Sequence, residues 1–192
     1  ALPSDKDTAY RLCNSEGDRL SGLTVDVFDG IAVVISSAIW LERHRDVITD
    51  ALLELDGITS VVWRRAEARL KMDGWPVDGM DAGEVQDAGE ETGPDTRLIL
   101  ESGLKYEVNP WLGQKSGFYC DQRDNRAAVA ALARGRKMLD LFCYSGGFSL
   151  SAARAGATHA VGVDSSGAAL ELARRNAELN DVGSITSFVQ VK

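Results

Sequence analysis

Met138-Leu-Asp-Leu-Phe-Cys-Tyr-Ser-Gly-Gly-Phe148 begins a run that continues through an alanine-rich segment to Gly156 and closes with Ala160-Val-Gly-Val-Asp164. It reads as a short buried strand ending near an acid, a tight glycine turn, a helix, and a second apolar strand ending in a second acid. Gly146 and Gly147 allow a sharp bend and a close backbone approach. Phe148 to Ala155 has helical composition and stops at Gly156, the residue type expected just past a helix end. This is the first βαβ unit of a doubly wound sheet, in which ligands bind beyond the carboxyl ends of the strands.

A dinucleotide site would want G-x-G-x-x-G, so that a pyrophosphate lies on bare N–H groups at the helix start. Here the turn reads Tyr144-Ser145-Gly146-Gly147-Phe148, and that spacing is absent. Asp140 before the turn would repel a pyrophosphate and favour a cation. S-adenosylmethionine carries a sulfonium and an ammonium and no phosphate. Asp164 follows Asp140 by 24 positions, close to the roughly 20-residue offset at which an acid meets ribose hydroxyls. The pair therefore suits the ammonium and the ribose of that cofactor. Against this stands the reading of each Asp as a turn-former or helix cap.

Asp140-Leu-Phe-Cys-Tyr-Ser-Gly-Gly-Phe-Ser149 and Val161-Gly-Val-Asp-Ser165 resemble the first two motifs of class I S-adenosylmethionine-dependent methyltransferases. Upstream, Gly113-Gln-Lys-Ser-Gly-Phe-Tyr-Cys-Asp-Gln-Arg-Asp-Asn-Arg126 is similar to a run in the bacterial-type 23S rRNA (cytosine-5)-methyltransferase family. The resemblance implies a small α+β (strand-strand-helix-strand-strand) domain followed by a truncated Rossmann-like class I methyltransferase domain. It places Asp140, Phe142, Tyr144, Gly146, Gly147, Asp164 and Ser165 around the cofactor. Lys115, Ser116, Phe118 and Arg123 would form a lid over its methionine end, with Lys115 or Arg123 on the carboxylate. Phe118 reads equally well as a core residue.

Length and charge agree with this division. The 192 residues hold one large or two small domains. Residues 1–110 are expected to form the central domain, with an acidic mobile insertion at 74–96, and 111–192 the incomplete cofactor domain. Between Asp73 and Thr96 stand eight of the 29 acids and no base, so the remainder balances 21 acids against 21 bases. That neutrality permits nucleic acid binding without arguing for it. No apolar run is long enough to span a membrane, and the amino terminus lacks a secretory pattern. The absent initiator Met points to a start inside a longer protein.

Elements follow from pattern. Leu23–Phe28 and Ile31–Ile35 flank Asp29-Gly30 as a hairpin. A helix is expected from Leu41 to Leu55 and a strand from Ile58 to Trp63. A second hairpin spans Arg97–Leu100 and Leu104–Val108. A helix capped by Asp121 is expected from Gln122 to Ala133, with Val129 and Leu132 on its buried side. Another follows from Gly167 to Asn180, with a Glu171–Arg175 pair, and a strand from Ser184 to Val191.

Cys13, Cys120 and Cys143 show no C-x-x-C spacing, and with His44 and His159 remote from them no metal site is expected. A reduced, intracellular setting follows, expected to be the cytoplasm, or an organelle in a eukaryotic source. Methylation of cytosine at carbon 5 needs a thiolate at carbon 6. The resemblance places that cysteine after the fourth strand, beyond Lys192, so no catalytic residue is assigned here. Cys143 is read as a packed loop cysteine and Cys120 as a core substitute. rRNA is the implied partner of the full-length protein, with a dimer compatible. Competing readings are an rRNA guanine methyltransferase, an NAD-dependent dehydrogenase and a non-catalytic binding module.

Overall fold

A computed structural model of the chain describes residues 2–75, 85–86 and 96–192. Two compact units emerge, residues 1–99 with 108–120 and residues 100–107 with 121–192.

In the first unit, β1 (Ala9–Asn14), β2 (Leu23–Phe28), β3 (Ile31–Ser36), β4 (Ser60–Arg65) and the short β5 (Val85–Gln86) form one sheet in sequential order. All neighbours are antiparallel except β3 and β4. The first hairpin stands as predicted: Asp29 (φ 49°) and Gly30 (φ 85°) are both left-handed, as the favoured two-residue hairpin turn requires. Strand β1 was missed, because Arg11 and Asn14 interrupt its apolar pattern. The single helix expected over 41–55 is two, α1 (Ile39–Arg43) and α2 (Arg45–Leu53), broken at His44. Helix α3 (Glu67–Met72) follows β4. Most of the acidic insertion lies outside the described residues.

The period-two pattern of β2 sorts its side chains onto two faces. Leu23, Val25 and Val27 pack with Val34, Leu41, Leu52, Val61 and Trp63 in a buried cluster. Thr24 and Asp26 face the other way, in register with Ile35 and Arg11 respectively.

Strands β6 (Arg97–Glu101) and β7 (Leu104–Val108) form the second hairpin, turning at Ser102 and Gly103. Its residues 100–107 group with the second unit, whereas the sequence pattern assigned the whole hairpin to residues 1–110. The reason is a pair of buried asparagines on α6 (Gly167–Leu179) and at its end. Asn180 accepts the Lys105 N–H at 2.8 Å and donates to the Lys105 carbonyl at 2.6 Å, and Asn176 accepts the Glu107 N–H at 2.7 Å. Two side chains one turn apart thus serve β7 as a neighbouring strand would.

The rest of that unit contains α4 (Arg123–Ala133), β8 (Lys137–Leu141), α5 (Gly147–Arg154), β9 (His159–Asp164) and β10 (Thr186–Gln190). The strands are parallel in the order β10-β9-β8, a Rossmann-like half-sheet with β8 at its edge. Helix α4 departs from expectation at both ends. Its N-cap is Gln122, without a side-chain bond, and Leu132 is 69% exposed. The buried face is set instead by Arg126, whose guanidinium makes two 2.6 Å bonds to the buried Glu101 carboxylate. Arg175 likewise pairs with Glu107 at 2.7 Å, while Glu171 pairs with Arg174. Ser166 caps α6 by accepting the Ala169 N–H.

Candidate active site

The turn after β8 holds its shape through three left-handed residues, Phe142 (φ 62°), Tyr144 (φ 49°) and Gly146 (φ 82°). For the two aromatics this conformation costs about 1 kcal/mol or more each, so the surroundings must enforce it. Cys143 donates its N–H to the Val163 carbonyl at 3.0 Å, Tyr144 donates to Asp164 Oδ2 at 2.9 Å, and Gly146 donates to the Cys143 carbonyl at 2.8 Å. Phe142 is 88% exposed, an aromatic ring held out in a strained bend at the carboxyl edge of the sheet. Gly146 is obligatory for a second reason: a Cβ there would come within 2.8 Å of Leu150.

Asp140, in β8, is buried, and its Oδ2 accepts both the N–H (3.1 Å) and the Oγ–H (2.8 Å) of Ser149 in the first turn of α5. Burial raises its pKa above the ordinary carboxylate range; the Ser149 bonds oppose that, and the nearby Asp164 charge adds to it. A carboxylate in that position gains from a cation. Asp164 ends β9 and accepts N–H groups with both oxygens, from Tyr144 and from Ser166 (2.9 Å each). Each oxygen keeps a lone pair for a ligand hydroxyl. Ser165 is exposed beside it, and its carbonyl accepts from Gln190.

Cys143 lies between the two acids. Burial pushes its thiol up to about 12, with Asp140 and Asp164 contributing. It remains protonated at neutral pH and cannot serve as a thiolate nucleophile. Cys13 is also buried with its pKa raised by burial, and Cys120 is buried.

Asp140, Phe142, Tyr144, Gly146, Gly147, Asp164 and Ser165 are therefore brought together by one turn and two strand ends. Ser149 and Ser166 orient the two acids; the sequence marks Ser166 only as a candidate cap of the helix that follows, which it is, and does not mark Ser149. Arg123 is elsewhere in the unit: it lies 3.7 Å from Glu101 and lines a cavity with Arg154 and Ala155 at the far end of α5. Lys115, Ser116 and Phe118 belong to the first unit, each with contacts there. Lys115 sits over the Tyr119 ring at 4.3 Å, Ser116 donates to Asp26, and Phe118 is buried.

The donor set fits S-adenosylmethionine by its chemistry. Two carboxylates and an exposed aromatic face suit a ligand with positive charge and hydroxyls. Among the described residues no cluster of three His, Cys, Asp or Glu is placed to hold a metal, and no helix is long and apolar enough to cross a membrane.

Residues 19–190 match the model of the S-adenosylmethionine-dependent methyltransferase family. The ribosomal RNA large subunit methyltransferase I of Aeromonas hydrophila is 40% identical over 187 residues, covering 95% of this chain and 45% of that protein. A candidate SAM-dependent methyltransferase from Streptococcus mutans superimposes with a TM-score of 0.83 at 25% identity, over 99% of this chain and 47% of the other. A candidate methyltransferase solved with SAH gives 0.81, also at 25% identity, over 98% and 47%. The chain spans slightly under half the length of each of these relatives.

Proposed function

This chain belongs to the S-adenosylmethionine-dependent methyltransferase family, and from that premise we propose that it supplies the cofactor site of an enzyme forming 5-methylcytosine in large-subunit rRNA. The observation that carries the reading is the pair Asp140 and Asp164 near the carboxyl ends of adjacent parallel strands, Asp140 one residue before the end of β8 and Asp164 closing β9, with the left-handed turn following β8. The bound cofactor supplies an electrophilic methyl group on its sulfonium. Asp140 would hold the ammonium through the oxygen not engaged by Ser149, Asp164 would hold ribose hydroxyls, and Phe142 would offer an aromatic face.

The methyl-accepting step needs a thiolate that adds to carbon 6 and makes carbon 5 nucleophilic. None of the three cysteines meets that need, since all are buried and Cys143 is held protonated. That nucleophile is therefore assigned to residues outside these 192, and the rRNA named for the Aeromonas relative is taken as the substrate. As a protein acting on ribosomes, it is placed in the cytoplasm.

Calorimetry of the 192-residue chain with S-adenosylhomocysteine is expected to show one site, lost in Asp164→Ala. Nucleoside mass spectrometry of 23S rRNA treated with S-adenosylmethionine and the full-length gene product is expected to show 5-methylcytosine. The 192-residue chain alone is expected to transfer nothing. Methylguanosine in place of 5-methylcytosine would overturn the product assignment.

A further inference from the structure

A basic patch gathers at the amino-terminal ends of β8 and β9, the end of the sheet opposite the cofactor turn. Its members are Arg134 and Arg136, which follow α4, Lys137, the first residue of β8, and Arg154, the last of α5. All four are exposed. Three alanines draw them together. Ala133, Ala152 and Ala157 form a small buried cluster with Met138 packed against it, and side chains this short let the ends of α4 and α5 come close. Two backbone bonds then zip the loops that leave those helices: Gly135 donates to the Gly156 carbonyl and Thr158 to the Arg136 carbonyl, both at 2.8 Å.

The charge here is concentrated and unopposed. The second unit holds nine acids and ten bases, and four of the ten stand in this patch. From residue 127 to residue 163 the one acid is Asp140, buried toward the other end of β8 and bonded to Ser149. Among the described residues none of the four basic side chains makes an ion pair or a hydrogen bond. Cations at helix ends often serve as caps, but that task is already filled. At the end of α5 the carbonyls of Ser151, Ala152 and Ala153 accept the N–H groups of Ala155, Ala157 and Gly156, and at the end of α4 the Ala133 carbonyl accepts from Arg136. Each helix end contributes roughly half a negative charge, so two ends leave about three of the four positive charges uncompensated. Several cations on a fixed backbone fit an extended polyanion, whose successive phosphates meet successive charges.

We propose that this patch anchors the phosphate backbone of the RNA substrate, an assignment that rests on the RNA methyltransferase reading above. Such contacts set orientation without reading sequence. The five residues of β8 put the patch about 15 Å from the cofactor turn, so it holds a segment beside the target nucleotide and not the target itself. It gives a chain of net charge −8 a local grip on a polyanion.

The test measures a labelled single-stranded oligoribonucleotide of about 12 nucleotides by fluorescence anisotropy, across a salt series. The proteins are the wild-type 192-residue chain, the double variant Arg136→Gln/Lys137→Gln, Arg154→Gln, and Lys105→Gln, which removes an exposed base of the same unit outside the patch. Each is also titrated with S-adenosylhomocysteine, which reports folding and the cofactor site. Expected is a several-fold loss of RNA affinity in both patch variants and a log–log salt slope less negative by about 0.7 per cation removed. S-adenosylhomocysteine affinity should stay unchanged, and Lys105→Gln should lose less than twofold for RNA. RNA binding that is absent in wild type, or unaltered in both patch variants, overturns the proposal. So does an equal loss per cation in Lys105→Gln, which would mark a diffuse charge effect. Polyglutamate that displaces the oligonucleotide as well as unlabelled RNA of equal charge would mark a surface for an acidic protein and overturn it too. If the double variant fails to fold, Arg154→Gln decides alone. Failure of wild type to bind S-adenosylhomocysteine would instead sink the function proposed above, while the RNA series still decides this patch.

Discussion

Asn176 of α6 donates its Nδ2–H to the Ser145 carbonyl at 3.3 Å while its Oδ1 accepts the Glu107 N–H at 2.7 Å. One fully buried amide thus ties the turn of the cofactor site to strand β7. Asn176→Ala leaves a backbone donor and acceptor unpaired in the interior, each worth about 1–3 kcal/mol. Denaturant unfolding is expected to show a loss of at least ~2 kcal/mol. Asn176→Asp would set a carboxylate oxygen against the Ser145 carbonyl in a fully buried site and is expected to lose at least as much stability as Asn176→Ala at neutral pH.

The acid pair makes ligand affinity depend on pH. Asp140 has a raised pKa in the free protein, and an ammonium beside it favours the ionised form. Binding therefore releases a proton once the pH falls toward that raised value. S-adenosylhomocysteine affinity should be flat at high pH and weaken on acidification by about tenfold per pH unit below the raised pKa. Asp140→Asn should bind more weakly and lose this dependence. The desolvated charge also costs stability at pH values above the raised pKa, a cost relieved as the pH falls through it.

Cys143 is expected to resist alkylation. With its thiol pushed up to about 12, iodoacetamide at pH 8 should leave it unmodified in the folded chain and react once urea unfolds it. Cys143→Ser should retain S-adenosylhomocysteine binding within about twofold, as a packing residue would. Peptide mass spectrometry reads the first result and calorimetry the second.

Gly162, in the middle of β9, is a packing requirement. A Cβ there would stand 2.6 Å from Phe188 Cδ1 and 2.9 Å from Cys143 Sγ, well inside contact distance. Gly162→Ala should destabilise by about 1–3 kcal/mol through overpacking, and Phe188→Leu should recover part of that loss in the double variant. A melting series on the four proteins checks the coupling.

Much of the fold could be read from local pattern. The Asp29-Gly30 turn, the strand around Asp140 and the glycine bend each depend on residues adjacent in the chain, and each stands where it was expected, although that strand is not buried: Leu139 and Leu141 are exposed and only Asp140 is buried. What escaped depends on partners far along the chain. Burial of Leu132 was inferred from its apolar side chain, but the face of α4 is chosen by Arg126 meeting Glu101, 25 positions earlier. The grouping of β7 with the second unit rests on Asn176 and Asn180, some 70 positions later. Within the site, Asp140 and Asp164 were legible because each lies at or next to the carboxyl end of an apolar strand. Ser149 was not, because a helical serine signals nothing until its acid is known.

The left-handed bend at Phe142, Tyr144 and Gly146 is locked by N–H bonds to the carbonyls of Val163 and Cys143 and to the Asp164 carboxylate before any ligand arrives. Its ordering entropy is then spent during folding, not at encounter. A methyl donor should therefore associate in a single kinetic phase, with a heat capacity change no larger than its own buried surface explains.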